Sequence, residues 1–428
     1  MKILKENALL KSLMSTFLAK ICVSFGGVCL SWLIGNYYGM SILGDFFIFQ
    51  MAVVTVSVIL TLGMNETLVL FSSKYIDEFN VSYLLLYALL LSGTLLFLFS
   101  AFIYIYPFST VLVDKYSIIF NNKVFFLVSV TSCLINLLLS GFMRGVKKPA
   151  YSVLLENGVV SIICIVIILS SRALDIDIVH SFAVVYGLST SIVSLIGLLN
   201  LKNEIPKTLI KPNGVLFSLF LGKNWSFYIM VLCGLVSTSL ISLYLGYVLD
   251  PKDVAIFRVM QQICVFISFS LIILNAVMPA YITGLFKENS ISNLEKISVL
   301  TSKYAMLLSL PIYIIFLFYP NEIMSIFGKE VIIPPYLLLI LASASFFNVS
   351  TGSVASILKM CGFEKVLTKT MIFSNIIGLI TLYILTPIYG LMGAVISASI
   401  IIIIQNAASL YFAKSRLGVA AAFYVVRG

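Results

Sequence analysis

Residues 21–63 read ICVSFGGVCLSWLIGNYYGMSILGDFFIFQMAVVTVSVILTLG, and Asp45 is the one charged residue among them. A helix needs about 20 mostly apolar residues to cross the hydrocarbon core of a bilayer. The region predicts two such helices, Leu13–Gly35 and Ile42–Gly63, joined by a short turn that contains glycine. Its apolar runs are too long and too uniform for the alternating strands of a membrane β-barrel. The stretch therefore predicts an α-helical membrane protein.

The composition of the whole chain supports the same conclusion. Of its 428 residues, 61% are hydrophobic and 10% are charged, whereas soluble domains carry about 25% charged residues. A soluble fold of this composition would have to expose large apolar surfaces to water.

Enzyme chemistry is not indicated by any motif. The chain has one histidine, His180, which excludes a site of three histidines around zinc and offers no obvious catalytic triad. No GxxxxGK[ST] phosphate-binding loop occurs. We therefore expect a transporter that is not an enzyme and has no cofactor.

Ten further apolar runs follow residue 63 and bring the expected number of transmembrane helices to about twelve, an all-α polytopic fold. They are Tyr83–Tyr106, Val124–Met143, Tyr151–Ser170, Ile178–Asn200, Asn224–Leu249, Val254–Thr283, Leu300–Tyr319, Pro335–Leu358, Leu367–Pro387 and Leu391–Ala413.

The distribution of basic residues predicts the orientation in the membrane. Cytoplasmic loops are enriched in Lys and Arg. With the N-terminus in the cytoplasm, 20 of the 27 basic residues fall in inner segments and six in outer segments, with Lys20 inside a helix. Both termini are therefore predicted to be cytoplasmic.

Two similar halves are indicated by the sequence. The boundaries predicted are an N-terminal six-helix bundle over 1–200, a cytoplasmic linker over 201–223, a C-terminal six-helix bundle over 224–413 and a cytoplasmic tail over 414–428. One constant offset pairs Gly35 with Gly246, Phe46 with Phe257 and Gln50 with Gln261. Halves of six helices each must be parallel repeats, and transporters with such repeats place the substrate between them.

Several segments, in this order and spacing, resemble those of a known family. They are SFGGVCLSWLIGNYYGMSILGDFFIFQ at 24–50, ILTLGMNETLVLFSSKY at 59–75, RGVKKPAYSVLLEN at 144–157, NAVMPAYITGLF at 275–286, the segment at 325–365, and LTPIYGLMGAVISASI at 385–400. Together they are similar to the Wzx-type polysaccharide flippases of the multidrug/oligosaccharidyl-lipid/polysaccharide exporter superfamily, which is MATE-like.

The resemblance implies two six-helix bundles in a V around a central cavity that opens alternately to the two sides. It implies a multi-pass protein of the bacterial inner membrane that flips an undecaprenyl-diphosphate-linked oligosaccharide for O-antigen, capsule or a related surface polysaccharide. Protons, sodium or the membrane potential would drive the step. The implied partners are this lipid-linked substrate, the bilayer and the polysaccharide polymerase machinery, and not nucleic acid.

Basic residues inside the helices are the first candidates for the site. Lys20 follows Lys11 by nine residues, which places it about 13 Å along the first helix. Such a cation costs roughly 2.5–3.5 kcal/mol at the centre of a bilayer and usually faces a cavity. Arg258 shares a helix face with Gln262, and Gln261 lies beside them. Guanidinium and amide groups hold phosphates and sugar hydroxyls. The resemblance also implies basic residues from both bundles in the cavity, and Lys20 and Arg258 match that pattern.

Three acidic residues in or near apolar runs form a second candidate set for a proton or ion-pair site. Glu156 lies within the fifth helix, where it is expected to pair with Lys20 or Arg144 or to accept a proton. Asp45 and Glu66 lie near helix ends, where water also reaches them. These acids leave open a drug/cation antiporter of the same fold, because cation exporters use buried carboxylates. A membrane polysaccharide polymerase or ligase is the remaining alternative, and the short outer loops disfavour it.

Overall fold

Helices make up nearly all of the part of the chain that can be described. The computed structural model describes residues 2–75, 81–174, 181–201, 214–288, 290–328, 331, 333–419 and 421–422. These residues contain no β-strand. His180 and most of the predicted linker, at 202–213, lie outside the described residues.

The chain divides into two compact units, Met1–Tyr247 and Val248–Gly428. The helices of the first unit are α1 (Lys2–Tyr38), α2 (Met40–Leu60), α3 (Met64–Tyr75), α4 (Ser82–Ile105), α5 (Thr110–Lys115), α6 (Ser117–Asn121), α7 (Lys123–Gly145), α8 (Pro149–Val153), α9 (Val159–Ala173), α10 (Phe182–Leu201), α11 (Gly214–Leu235) and α12 (Ile241–Val248). Two π-helical turns, Leu154–Gly158 and Val236–Leu240, join α8 to α9 and α11 to α12.

The second unit continues the helical series. Its helices are α13 (Pro251–Ile267), α14 (Phe269–Lys287), α15 (Ile291–Phe318), α16 (Pro320–Ser325), α17 (Pro335–Ser350), α18 (Val354–Met360), α19 (Glu364–Tyr389) and α20 (Leu391–Leu417).

Membrane spans follow from the length and apolarity of these helices. Within the described residues, nine helices are long and apolar enough to cross a membrane, and the number rises to twelve if three bent helix pairs are single spans. The pairs bend by 45° at α8–α9, 61° at α13–α14 and 46° at α17–α18. The all-α polytopic fold with about twelve spans is confirmed, and three of the predicted runs correspond to bent helix pairs.

A short helix follows the second span. The span predicted to end at Gly63 ends at Leu60, and after a break at residues 61–63 the separate helix α3 runs to Tyr75. Leu62 and Gly63 have φ values of 49° and 78°, in the left-handed region that interrupts a right-handed helix. The break redirects the chain, so that Glu66 lies in the first turn of a new helix.

The contacts of α11 and α12 are mainly with the first unit. The repeat in the sequence instead predicts that these helices begin the second half. Gly63 brings the chain so close to α11 that an added Cβ would lie 2.6 Å from the backbone nitrogen of Tyr228. The ring centroids of Phe71 and Phe220 are 5.4 Å apart. The Tyr116 hydroxyl donates a hydrogen bond of 2.8 Å to the Leu243 carbonyl. The contact boundary therefore differs from the predicted boundary at 201–223, and the division into six plus six helices stays a prediction.

An apolar cluster in the second unit also holds the residues directly after the last helix. Val419 and Ala421 are buried with Met278, Ile282 and Leu294. The segment predicted as a cytoplasmic tail from residue 414 thus begins as the last turn of α20 and then packs on the unit. Residues 420 and 423–428 lie outside the described part.

Candidate functional site

Two glycines bring α7 against α3 and so create the ionic part of the site. Gly141 lies against the backbone of Asn65, and Gly145 lies against Ser72 and the carbonyl of Val69. Small residues four positions apart allow membrane helices to approach closely. Arg144, between these glycines, is therefore held beside the first turn of α3.

Arg144 joins two carboxylates in this position. Its Nη2 atom lies 3.2 Å from Oε1 of Glu66 and 3.1 Å from Oε1 of Glu156. The three side chains are each about one-third exposed. Two negative charges thus share one positive charge. The group Glu66, Arg144 and Glu156 is called the carboxylate cluster below.

Serine hydroxyls complete the surroundings of Glu156. Ser140 donates a hydrogen bond of 2.6 Å to Oε1 of Glu156, and its hydroxyl also lies 2.8 Å from that of Ser152. Glu156 itself lies in the π-helical turn Leu154–Gly158. Such turns occur frequently at functional sites. The turn and the hydroxyls fix the carboxylate, which leaves the Arg144 contact well defined.

Sequence reasoning found only part of the carboxylate cluster. Glu156 pairs with Arg144, which was one of its two predicted partners. Glu66 was expected to be accessible to water near a helix end, but it also pairs with Arg144. Ser140 and Ser152 were not singled out. The usable signal was the SGFMRG segment, because its two glycines flank Arg144 and predict a close helix contact.

Lys20 is not a member of the carboxylate cluster. It is half-buried on α1, which packs against α8, α9 and the π-helical turn between them. Among the described residues, the ion pairs of Glu66 and Glu156 are both with Arg144 and not with Lys20. The structure thus has a half-buried cation inside the first span of the first unit.

Arg258 is the corresponding cation of the second unit. It lies half-buried on α13. Its Nη1 atom donates a hydrogen bond of 2.8 Å to Oε1 of Gln261. The structure thus pairs Arg258 with the amide of Gln261, one turn along the same helix.

Asp45, the last predicted acid, is not part of the carboxylate cluster. It is half-buried on α2 and lines a cavity of about 470 Å³ together with residues that precede α7. The structure therefore separates the predicted acids into two places within the first unit.

Solved structures supply the strongest comparison with known proteins. No family model matches the sequence, and no curated protein matches it. An inward-facing multidrug resistance MATE family transporter of the MOP superfamily aligns over 94% of this chain and 98% of its own, with 14% identity and a TM-score of 0.74. The chain has the MATE fold.

Two further neighbours with the MATE fold have different described functions. The lipid II flippase MurJ, in an inward closed conformation, aligns over 93% of this chain and 87% of its own, with 13% identity and a TM-score of 0.64. A MOP superfamily transporter from Pyrococcus furiosus, described as having a binding pocket of reverse polarity, aligns over 96% and 95%, with 14% identity and a TM-score of 0.60. The MATE fold thus serves both drug transporters and a lipid flippase, so the cargo must be argued from the side chains.

Proposed function

We propose that this protein is a flippase that moves an undecaprenyl-diphosphate-linked oligosaccharide across the bacterial inner membrane by alternating access. The observation that carries the proposal is a half-buried cation inside a spanning helix of each unit, Lys20 on α1 and Arg258 on α13. The cargo serves the assembly of a surface polysaccharide such as O-antigen or capsule.

Membrane energetics connect these cations to an anionic cargo. A cation at the centre of a bilayer costs roughly 2.5–3.5 kcal/mol, and such residues mark pathways for substrates and ions. A diphosphate offsets that cost through charge-assisted hydrogen bonds, which are about twice as strong as neutral ones. A lipophilic cation would instead be repelled by both residues.

Gln261 adds directional control to the Arg258 guanidinium. The hydrogen bond of 2.8 Å from Nη1 to Oε1 of Gln261 orients the planar guanidinium group. A fixed fork of N–H donors matches phosphate oxygens in a way that a flexible ammonium does not. Arg258 would therefore select the phosphate geometry, and Lys20 would supply a second positive charge.

A drug/cation antiporter is the second candidate, and the carboxylate cluster favours it. The cluster contains two carboxylates for one guanidinium, so it carries a net negative charge that would attract a cation or proton. We infer that Arg144 neutralises one of the two negative charges in place and shares its guanidinium with both carboxylates, which makes the cluster a weaker cation site than an unpaired carboxylate.

The test uses the purified protein in proteoliposomes with a fluorescent prenyl-diphosphate-linked oligosaccharide as the probe. Lys20→Glu and Arg258→Glu should each lower the flipping rate at least tenfold, and Lys20→Arg should retain most of it. Lys296→Glu is the matched control, because Lys296 is exposed on α15; its rate should stay within twofold of the wild type.

The opposite outcomes identify the second candidate. If the double variant Lys20→Glu, Arg258→Glu flips the probe normally, the proposed phosphate site is wrong. If the wild type accumulates tetraphenylphosphonium but does not move the lipid-linked probe, and Glu66→Gln abolishes that accumulation, the protein is a cation antiporter.

A further inference from the structure

Each unit contains a cavity, which lies near the start of α2 in the first unit and near the start of α13 in the second. The cavity of the first unit measures about 470 Å³, and its lining includes Ile42, Asp45, Ser117, Asn121, Asn122 and Phe182. The cavity of the second unit measures about 450 Å³, and its lining includes Asp250, Lys252, Asp253, Ile256, Tyr336 and Tyr389. Both volumes lie in the range of small-molecule sites.

The two cavities occupy equivalent positions in the repeated halves. The offset that pairs Gln50 with Gln261 also pairs Ile42 with Asp253 and Asp45 with Ile256. All four of these residues line the cavities. An aspartate in one half is therefore aligned with an isoleucine in the other half at both positions. Each cavity still has a carboxylate on this helix, Asp45 on α2 or Asp253 on the equivalent helix α13.

The remaining walls are also equivalent in chain order. In the first unit they come from residues just before α7 and from Phe182, the first residue of α10. In the second unit they come from residues just before and within the start of α17, and from Leu391, the first residue of α20. The residues at or just before the start of the fourth and sixth spans of each half thus line the same kind of cavity.

The carboxylates in both cavities are available to a ligand. Asp45 and Asp253 are half-buried, and within the described part of the chain neither side chain forms a hydrogen bond or ion pair. A half-buried polar group without a protein partner destabilises the folded protein unless water or a ligand forms a hydrogen bond with it. Each cavity therefore presents an acceptor group to whatever enters it.

The groups around these carboxylates are those that recognise sugars. In the first cavity, the hydroxyl of Ser117 and the amides of Asn121 and Asn122 combine donors with acceptors. In the second cavity, Tyr336 and Tyr389 are 48% and 57% exposed, and a tyrosine ring offers an apolar face together with a polar tip. Sugars present adjacent hydroxyls and apolar C–H faces that match these two kinds of surface.

We propose that the two cavities bind individual sugar residues, and that they hold the oligosaccharide of the cargo at the outer ends of the spans. This inference rests on the proposed flippase function for the identity of the cargo and on the charge distribution for the outer location. One cavity in each unit gives the protein two sugar contacts.

The test is binding of free glucose, galactose and N-acetylglucosamine, each titrated into the purified full chain in nanodiscs and followed by saturation-transfer NMR. At least one sugar should bind the wild type. Asp45→Ala with Asn121→Ala, and Asp253→Ala with Tyr336→Ala, should each weaken the binding, and the combination of all four should raise the half-saturating concentration at least tenfold. Asp114→Ala is the control, since Asp114 is exposed on α5 outside both cavities, and it should bind normally.

A conservative pair keeps the test informative if the alanine variants unfold. Asp45→Asn and Asp253→Asn preserve side-chain shape, and they should also weaken sugar binding while leaving the unfolding temperature within a few degrees. Sugar binding that is absent in the wild type, or unchanged in all these variants, overturns the proposal. The proposal is also overturned if the wild type binds radioactive sodium and Asp45→Asn does not, while Asp45→Asn still binds sugar. The cavity would then be a cation site.

Failure of this inference can be separated from failure of the proposed function. The Lys20→Glu, Arg258→Glu variant should bind free sugars normally although it no longer flips the lipid-linked probe. Flipping by the wild type without any sugar binding rejects the cavities alone. Sugar binding at the cavities without flipping rejects the transport function and retains the cavities as sugar sites.

Discussion

Arg144 is the residue on which the charge balance of the first unit depends. It compensates Glu66 and Glu156 at 3.2 and 3.1 Å. Without it, two carboxylates would remain close together in a partly desolvated place, and like charges there disfavour one another. Removal of one carboxylate instead leaves a balanced pair. The two kinds of substitution should therefore differ strongly.

We expect Arg144→Gln to destabilise the protein by about 1–2 kcal/mol, a value between those of exposed and buried ion pairs because the side chains are partly exposed. Glu66→Gln should cost less. The double variant Arg144→Gln, Glu66→Gln should recover part of the loss. Thermal unfolding in detergent ranks the stabilities of the three variants. Equal losses of stability for Arg144→Gln and Glu66→Gln would contradict the conclusion that two carboxylates share one guanidinium.

The contact between α7 and α3 is the decisive feature at the scale of elements. An added Cβ at Gly141 would meet the backbone carbonyl of Asn65, which cannot rotate away as a side chain can. By contrast, Gly222 on α11 has open space around the position of a Cβ. Gly141 is therefore needed for a close helix contact, whereas Gly222 is not.

We expect Gly141→Ala to lower the unfolding temperature and to separate Arg144 from Glu66, since the two helices must move apart. Gly222→Ala should leave stability unchanged or raise it by about 0.4–1 kcal/mol, because alanine favours the helix and restricts the unfolded chain. The same unfolding assay compares the two variants. A Gly141→Ala protein as stable as Gly222→Ala would show that the contact does not constrain the fold.

Bends within the spans belong to the same scale. The sequence predicted the fifth, eighth and tenth spans as continuous apolar runs, and each is bent by more than 40°. Hydrophobicity alone does not report a bend, because a broken helix in a membrane remains as apolar as a straight one. The tertiary contacts that satisfy the interrupted backbone determine where the break lies.

At the scale of the whole molecule, the distribution of Lys and Arg predicts the orientation. Ser41 is expected on the outer side and Glu288 on the cytoplasmic side, and both are exposed in the structure. In a variant without the seven native cysteines, a single cysteine at Ser41 should react with a membrane-impermeant maleimide in intact cells, and one at Glu288 should react only after permeabilisation. Labelling of both in intact cells would contradict the predicted topology.

The sequence by itself determined the class of fold and the approximate number of spans of this protein. Each span depends on the local count of apolar residues, and insertion into a bilayer requires helices whose backbone groups are satisfied internally. The candidate residues Lys20, Glu156 and Arg258 could also be identified from the sequence, because a charge within an apolar run is recognised without tertiary information.

Only the tertiary structure decided which of these residues meet. Glu66 and Arg144 come together because two glycines allow α3 and α7 to touch, and the contact of α11 with α3 follows from the turn at Gly63. The two cavities likewise join residues that are far apart in the chain, at 42–45, 117–122 and 182 in the first unit and at 250–256, 333–337 and 389–392 in the second. Such groupings depend on the rotation and spacing of packed helices, and one sequence pattern of apolar runs is compatible with many different packings.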